Sequence, residues 1–152
     1  HGISRIAPIL QDIVIRLKNG SDIGKLKKVD LYWLIEDRNY FEWFTKMLKE
    51  MDEDGSPKFF NYHIYFLERS PEEISRKMMY ISTDVIKSET NIDLVDNLWS
   101  KSSFGIPDWE KIFSEFREDS NHKVFYSGPN KFSRELKKAC KKSRYQFKRG
   151  SF

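Results

Sequence analysis

Few residues of this chain are of a type and spacing that could do chemistry. Ser127-Gly128-Pro129 stands where a strand pattern gives way to a helix. In an open α/β sheet that carboxyl edge is where ligands bind, although on its residues alone the triplet is also an ordinary strand-to-helix turn. Ser4, two residues after Gly2, opens a helical pattern and alone reads as an N-cap serine. His63 lies among large apolar residues and reads as a satisfied core or edge histidine, not as a base. Cys140 is the single cysteine, which excludes an internal disulfide and argues against a cysteine-based metal site. The sequence holds no Ser/His/Asp nucleophile arrangement, no His-Glu-x-x-His, no P-loop and no EF-hand loop.

The elements that must position these residues alternate between two periods. Residues 4–17 carry Ile6, Ile9, Leu10, Ile13, Val14 and Leu17 at helical spacing, and Asn19-Gly20 is the stop signal. Residues 29–35 are short, β-branched and aromatic, a buried strand. Asn39 with Glu42 caps a helix whose inner face is Tyr40, Phe44, Met47, Leu48 and Met51. The pattern repeats with a strand over 59–67 and a helix from Ser70, Pro71 and Glu73 carrying Ile74, Met78, Ile81 and Val85. Residues 87–105 lack periodicity and read as a long surface loop holding one irregular strand at most. Pro107 opens a short helix with Trp109, Ile112, Phe113 and Phe116 inward; residues 122–126 form a strand, 130–142 a helix and 145–147 a last short strand. Helices crossing between strands imply a mainly parallel sheet covered on both faces, a doubly wound α/β domain over residues 1–152. Such a domain ordinarily begins with a strand, whereas this chain enters a helix at once, so the expectation is a single domain truncated at its N-terminus and lacking its first strand.

Composition narrows the classes further. With 152 residues and 39% hydrophobic side chains, there is enough material for one packed core. Apolar runs stop well short of the ~20 residues that cross a bilayer, and there is no signal-peptide pattern. Net charge is +4, from 27 basic and 23 acidic residues, a mixed surface and not a polycation. Nine Lys or Arg residues fall between 131 and 149. Lys131, Arg134, Lys137, Lys138, Lys141 and Lys142 point away from the apolar face, as a solvated surface does; docking on an acidic leaflet or another domain is the alternative. Aromatics occupy inward positions, which speaks for core packing and against nucleic acid as a partner.

Four segments carry a family resemblance. The run from Asp30 to Phe44, with Tyr32-Trp33 at a strand end leading into Phe41-Glu42-Trp43-Phe44, resembles the strand-turn-helix of the NADPH oxidase and dual oxidase family. Ile106-Pro107-Asp108-Trp109 is similar to that family's Arg-Pro-Asp/Asn-Trp segment, and Val124 to Pro129 to its Val-Phe-x-Cys-Gly-Pro turn. The terminal Phe152 also agrees, and the final stretch is closest to the calcium-regulated members.

The resemblance implies a ferredoxin-reductase-type nucleotide-binding domain, the C-terminal part of a flavocytochrome that passes hydride from NADPH or NADH to FAD. Electrons then cross the membrane through haem to oxygen, giving superoxide or hydrogen peroxide. It further implies a membrane-bound parent with this domain on the cytosolic side, partnered by flavin and transmembrane haem domains and by a regulatory domain. Gly2, Ile3 and Ser4 would lie in the glycine-rich turn that meets the pyrophosphate. Trp33, Arg38 and Pro107 would line the nucleotide site, and Ser127, Gly128 and Pro129 would lie beside the nicotinamide. Phe152 would be a lid on the flavin, making Ser127 and Phe152 the catalytic positions.

Departures from the family pattern carry their own expectations. Ser127 replaces a cysteine, and Arg5 a proline, where it would add a contact to the phosphates or simply be solvated. The two arginines that meet the 2′-phosphate fall on Glu36 and Ile106. An acid at the end of the second strand suits free ribose hydroxyls and repels a phosphate, so NADH should be at least tolerated unless Arg38 or Lys101 substitutes. A ferric-chelate reductase module would share every one of these features, and a docking module that has lost its nucleotide would share the fold. The fragment alone should be inactive.

Overall fold

The computed structural model describes residues 3–20, 24–35, 60–67, 100–116, 118 and 121–150, together with Glu72, Arg76 and Met79, and gives the backbone alone at Ile3, Ser4, Val14, Leu17 and Lys18. Its elements are α1 (Ile3–Lys18), β1 (Val29–Ile35), β2 (Phe60–Phe66), β3 (Ser102–Phe104), α2 (Trp109–Ser114), β4 (Lys123–Tyr126), α3 (Asn130–Ser143) and β5 (Gln146–Arg149). The helix expected from Asn39 lies outside the described residues. Of the helix expected from Ser70, Glu72, Arg76 and Met79 are helical and exposed. Chain contacts divide into two units, one of residues Ile13–Ile106 and one of His1–Asp12 with Pro107–Phe152.

Every described strand pair is parallel, as a sheet built on crossover connections requires. In the first unit the order is β1-β2-β3, with Leu31 beside Tyr62, Trp33 beside Ile64 and Ile35 beside Phe66. Strand alternation sorts the side chains. Leu31, Trp33, Ile35, Phe60, Ile64 and Phe66 are buried on one face, and the Phe66 ring meets Phe104 of β3 at 5.9 Å. Asp30, Tyr32 and Leu34, with Asn61, His63 and Tyr65, make the opposite, half-buried face. β1 is therefore buried on one side and not both. The polar residues of the second face satisfy each other: His63 stacks on Tyr32 at 4.5 Å with its Nε2 3.8 Å from Asp30 Oδ1, and Lys28 Nζ lies 3.2 Å from the same oxygen. The irregular strand expected in 87–105 is β3, a three-residue ladder on Ile64, Tyr65 and Phe66 of β2.

In the second unit β4 pairs with β5, Val124 beside Phe147 and Tyr126 beside Arg149. Asp108 caps α2 by accepting a hydrogen bond from the Lys111 amide at 3.2 Å, so the helix starts two residues after Pro107, which is itself buried. Trp109 and Phe113 are its buried pair, and Phe113, Phe116, His122 and Tyr145 join them in one aromatic cluster, with Phe113 and Tyr145 centred 5.0 Å apart. α3 buries Leu136, Ala139 and Cys140. It ends on Arg144, whose φ of 60° is left-handed; the Arg144 amide bonds Lys141 O and the Tyr145 amide bonds Cys140 O, the paired bonds of a Schellman stop. Among the described side chains of α1, Ala7 and Leu10 are buried, whereas Ile9 is 41% exposed. The small Ala7 completes a stripe that counting large apolar residues assigns to Ile9.

Candidate functional site

Tyr126 ends β4, Ser127-Gly128-Pro129 makes the turn, and Asn130 begins α3. Three contacts hold that turn. The Tyr126 hydroxyl donates to Pro129 O at 2.7 Å, closing the turn on itself. Arg149 Nη2 donates to Gly128 O at 3.2 Å, and the Gly150 amide donates to Tyr126 O at 2.9 Å, so the end of β5 is stitched to the turn. A Cβ on Gly128 would lie 2.8 Å from the Tyr126 hydroxyl oxygen. The tyrosine folded over it and its own φ of 157° both favour glycine here.

This leaves polar capacity at the carboxyl edge of β4. Pro129, at the N-cap position, has no side chain to cap α3. The Ser127 side chain is half-buried and makes no hydrogen bond among the described residues. An uncapped helix start favours an approaching negative or polar group, and a hydroxyl that can both donate and accept suits a carboxamide. Below the turn, Asn130, Ser133, Arg134 and Lys137 of α3 with Phe147 and Arg149 of β5 line a groove of about 510 Å³.

The remaining expected site residues are placed as follows. Ile3 and Ser4 lie in the first turn of α1, and Arg5 beside them is exposed. Trp33 is 7% exposed, its ring committed to the core face of β1. Ile106 follows β3 and is 63% exposed, an apolar side chain held out in solvent. Gly2, Glu36, Arg38 and Phe152 lie outside the described residues. Ser127, Gly128 and Pro129 are thus brought together in one turn. Sequence reasoning missed Tyr126 and Arg149 as its supports, because both act through the β4–β5 pairing and not through a local pattern.

Two groups here titrate abnormally. Burial pushes the Cys140 thiol up to about 11, and burial raises Tyr145 too, reinforced by Cys140 and Glu118. Cys140 is therefore inert packing. Among the described residues no cluster of His, Cys, Asp or Glu could hold a metal ion, and no helix is long and apolar enough to cross a membrane.

Parallel strand pairs, one of them spanned by α3, with a polar turn at a strand's carboxyl end, are the architecture of an α/β protein whose ligands bind at that edge. The model of the ferric reductase NAD binding domain matches residues 1–141, and the chain belongs to that family. It is 29% identical to human NADPH oxidase 3 over 146 residues, which is 91% of this chain and 24% of that protein. It is 28% identical to a superoxide-generating NADPH oxidase heavy chain of Dictyostelium discoideum, over 91% of this chain and 26% of the relative, and 28% identical to rat dual oxidase 2, over 91% and 9%. The chain thus spans about a quarter of the length of the first two and a tenth or less of the third.

Proposed function

We propose that this chain is the pyridine-nucleotide-binding part of an NADPH oxidase-type flavocytochrome. The observation that carries the reading is the match to the NAD-binding family over residues 1–141, together with an open polar turn at Ser127-Gly128-Pro129. When bound, reduced nicotinamide would supply a hydride for the FAD of the parent protein, whose haem groups would carry the electrons on to oxygen. The chain's own residues bind and orient. The first turn of α1, with Ile3, Ser4 and Arg5, meets the pyrophosphate through backbone amides and the arginine's charge. Ser127 holds the carboxamide of the nicotinamide, and Tyr126 and Arg149 keep the turn from moving. Phe152 covers the flavin. Flavin and transmembrane haem domains of the parent complete the pathway, with this domain on the cytosolic face of a membrane protein and a regulatory domain as a further partner.

Glu36 and Ile106 stand at the positions that choose between NADH and NADPH. Neither supplies a cation for a 2′-phosphate, and one contact-range like-charge interaction of about 1 kcal/mol shifts preference several-fold. The test compares NADH with NADPH oxidation by the parent protein. Glu36→Arg with Ile106→Arg should raise relative use of NADPH at least several-fold; an unchanged ratio overturns the assignment of specificity to these positions. Nucleotide binding by the chain, followed by saturation-transfer NMR, tests the wider reading, and absence of binding at millimolar nucleotide would point instead to a docking module with a degenerate site. Because the matched family is a ferric reductase family, a metal-chelate acceptor is the second reading, separated by assaying ferric reduction beside superoxide release.

A further inference from the structure

The groove under α3 has a composition that the nucleotide reading does not use. Arg134 and Lys137 on one wall and Arg149 on the other bring three cations to a space of about 510 Å³, and among the described residues none that lines it is acidic. Asn130 and Ser133 add neutral hydrogen-bonding groups, and Phe147 supplies an aromatic surface. Arg134 and Lys137 form no ion pair or side-chain hydrogen bond among the described residues. Arg149 is anchored through Nη2 to Gly128 O, which fixes its guanidinium while leaving most of its N–H groups open. The contrast with Lys142, which pairs with Glu110 at 2.7 Å on the same helix, shows that counter-charge reaches α3 elsewhere.

We propose that this groove is an anion site for a phosphorylated ring alcohol, a phosphomonoester carried on a sugar or inositol ring. Three cations exceed what a single carboxylate can balance, whereas a phosphomonoester brings close to two charges and three acceptor oxygens, and guanidinium forks match its geometry. The volume lies in the range of small-ligand clefts and is far too small for a nucleic-acid duplex. Phe147 offers the ring an apolar face. The exposed Lys138 and Lys141 extend the same charge along α3, so a soluble phosphate ester and a lipid headgroup present the same chemistry to the groove.

The experiment uses the 152-residue chain and three probes: inositol 1,4,5-trisphosphate, phosphatidylcholine vesicles, and the same vesicles with a minority of phosphatidylinositol 4,5-bisphosphate. Amide shifts should cluster in 130–137 and 146–149, and Arg134→Gln with Lys137→Gln should weaken binding about tenfold or more, the loss expected of two charge-assisted contacts. Retention of soluble inositol phosphate identifies a free ester as sufficient; capture by phosphoinositide vesicles alone identifies the lipid headgroup; either supports the site. Absence of binding to every probe, shifts centred elsewhere, or equal affinity in the double variant overturns it. NADH is titrated in parallel. The double variant should keep its NADH response unchanged, and full competition between NADH and inositol phosphate for the groove would overturn the proposal while leaving the nucleotide reading standing.

Discussion

Gly128→Ala should loosen the turn by a calculable amount. The new Cβ would sit 2.8 Å from the Tyr126 hydroxyl, while ordinary contact begins near 3.4 Å, so the hydroxyl must give way by several tenths of an ångström. That hydroxyl is held 2.7 Å from Pro129 O, and yielding breaks the bond. Losing it costs about 1 kcal/mol, and residual overpacking adds about 1 kcal/mol more. Cys140 makes an internal reporter, being the only cysteine and 1% exposed in α3. With its thiol pushed up to about 11, alkylation near pH 8 should proceed through opening of the unit. A destabilisation of about 1.5–2 kcal/mol then accelerates labelling on the order of tenfold to thirtyfold. In a Tyr126→Phe background the nearest ring atom to the new Cβ is Cζ at 3.2 Å and the hydrogen bond is already gone, so mainly the strain of a non-glycine residue at φ 157° is left and the same substitution should cost about 1 kcal/mol less. Equal acceleration in both backgrounds would refute the explanation of Gly128 by Tyr126.

Two further outcomes follow from local chemistry. Arg144→Gly relieves a left-handed non-glycine residue at the end of α3, a strain of about 1–2 kcal/mol partly offset by the entropy glycine adds to the unfolded chain, so a net gain of about 0.5–1 kcal/mol is expected by urea titration; a loss would show that the arginine side chain is needed there. At Asp30 burial alone would raise the carboxyl, but hydrogen bonds from His63 and Lys28 and their charge outweigh it and hold it below the ordinary value. A depressed carboxyl stabilises above its unfolded pKa, near 4, and the contribution is lost as pH falls through the folded value. Asp30→Asn should therefore flatten the acid limb of the stability profile below about pH 4, read from Trp33 fluorescence; an unchanged limb would remove Asp30 from the account.

Strong periodicity explains what the sequence revealed well. β1 could be bounded to the residue, because β-branched and aromatic side chains run together from Val29 to Ile35, although its one-sided burial was not apparent from that run, and α3 nearly so, because its cations and apolar residues occupy opposite faces. The short β3 was harder: its three residues are held by ladder bonds to β2, and Phe104 is 52% exposed, so little in their own pattern marks them. At the site, Ser127-Gly128-Pro129 was legible as a strand-to-helix turn. Its supports were not, since the reach of Tyr126 back to Pro129 and of Arg149 across to Gly128 depends on a parallel pairing that a linear reading does not register. Trp33, conspicuous near a strand end, is 7% exposed on the core face of β1, a burial that its type and place in the run do not by themselves reveal.

All three described strand pairs are parallel, and this orders events during folding. Val29 meets Phe60, Ile64 meets Ser102 and Lys123 meets Gln146, so the closing segments are roughly 30, 40 and 20 residues long. No hairpin is available as a local nucleus among them. The shortest closure is the one spanned by α3, a helix that can form early and carry β5 back to β4. When the whole chain refolds, the turn at Ser127-Gly128-Pro129 would then be assembled before β1 has found β2; on a ribosome the order reverses, and β1 stays unpaired until at least Phe66 has emerged, a window in which that apolar strand is open to pairing with another molecule.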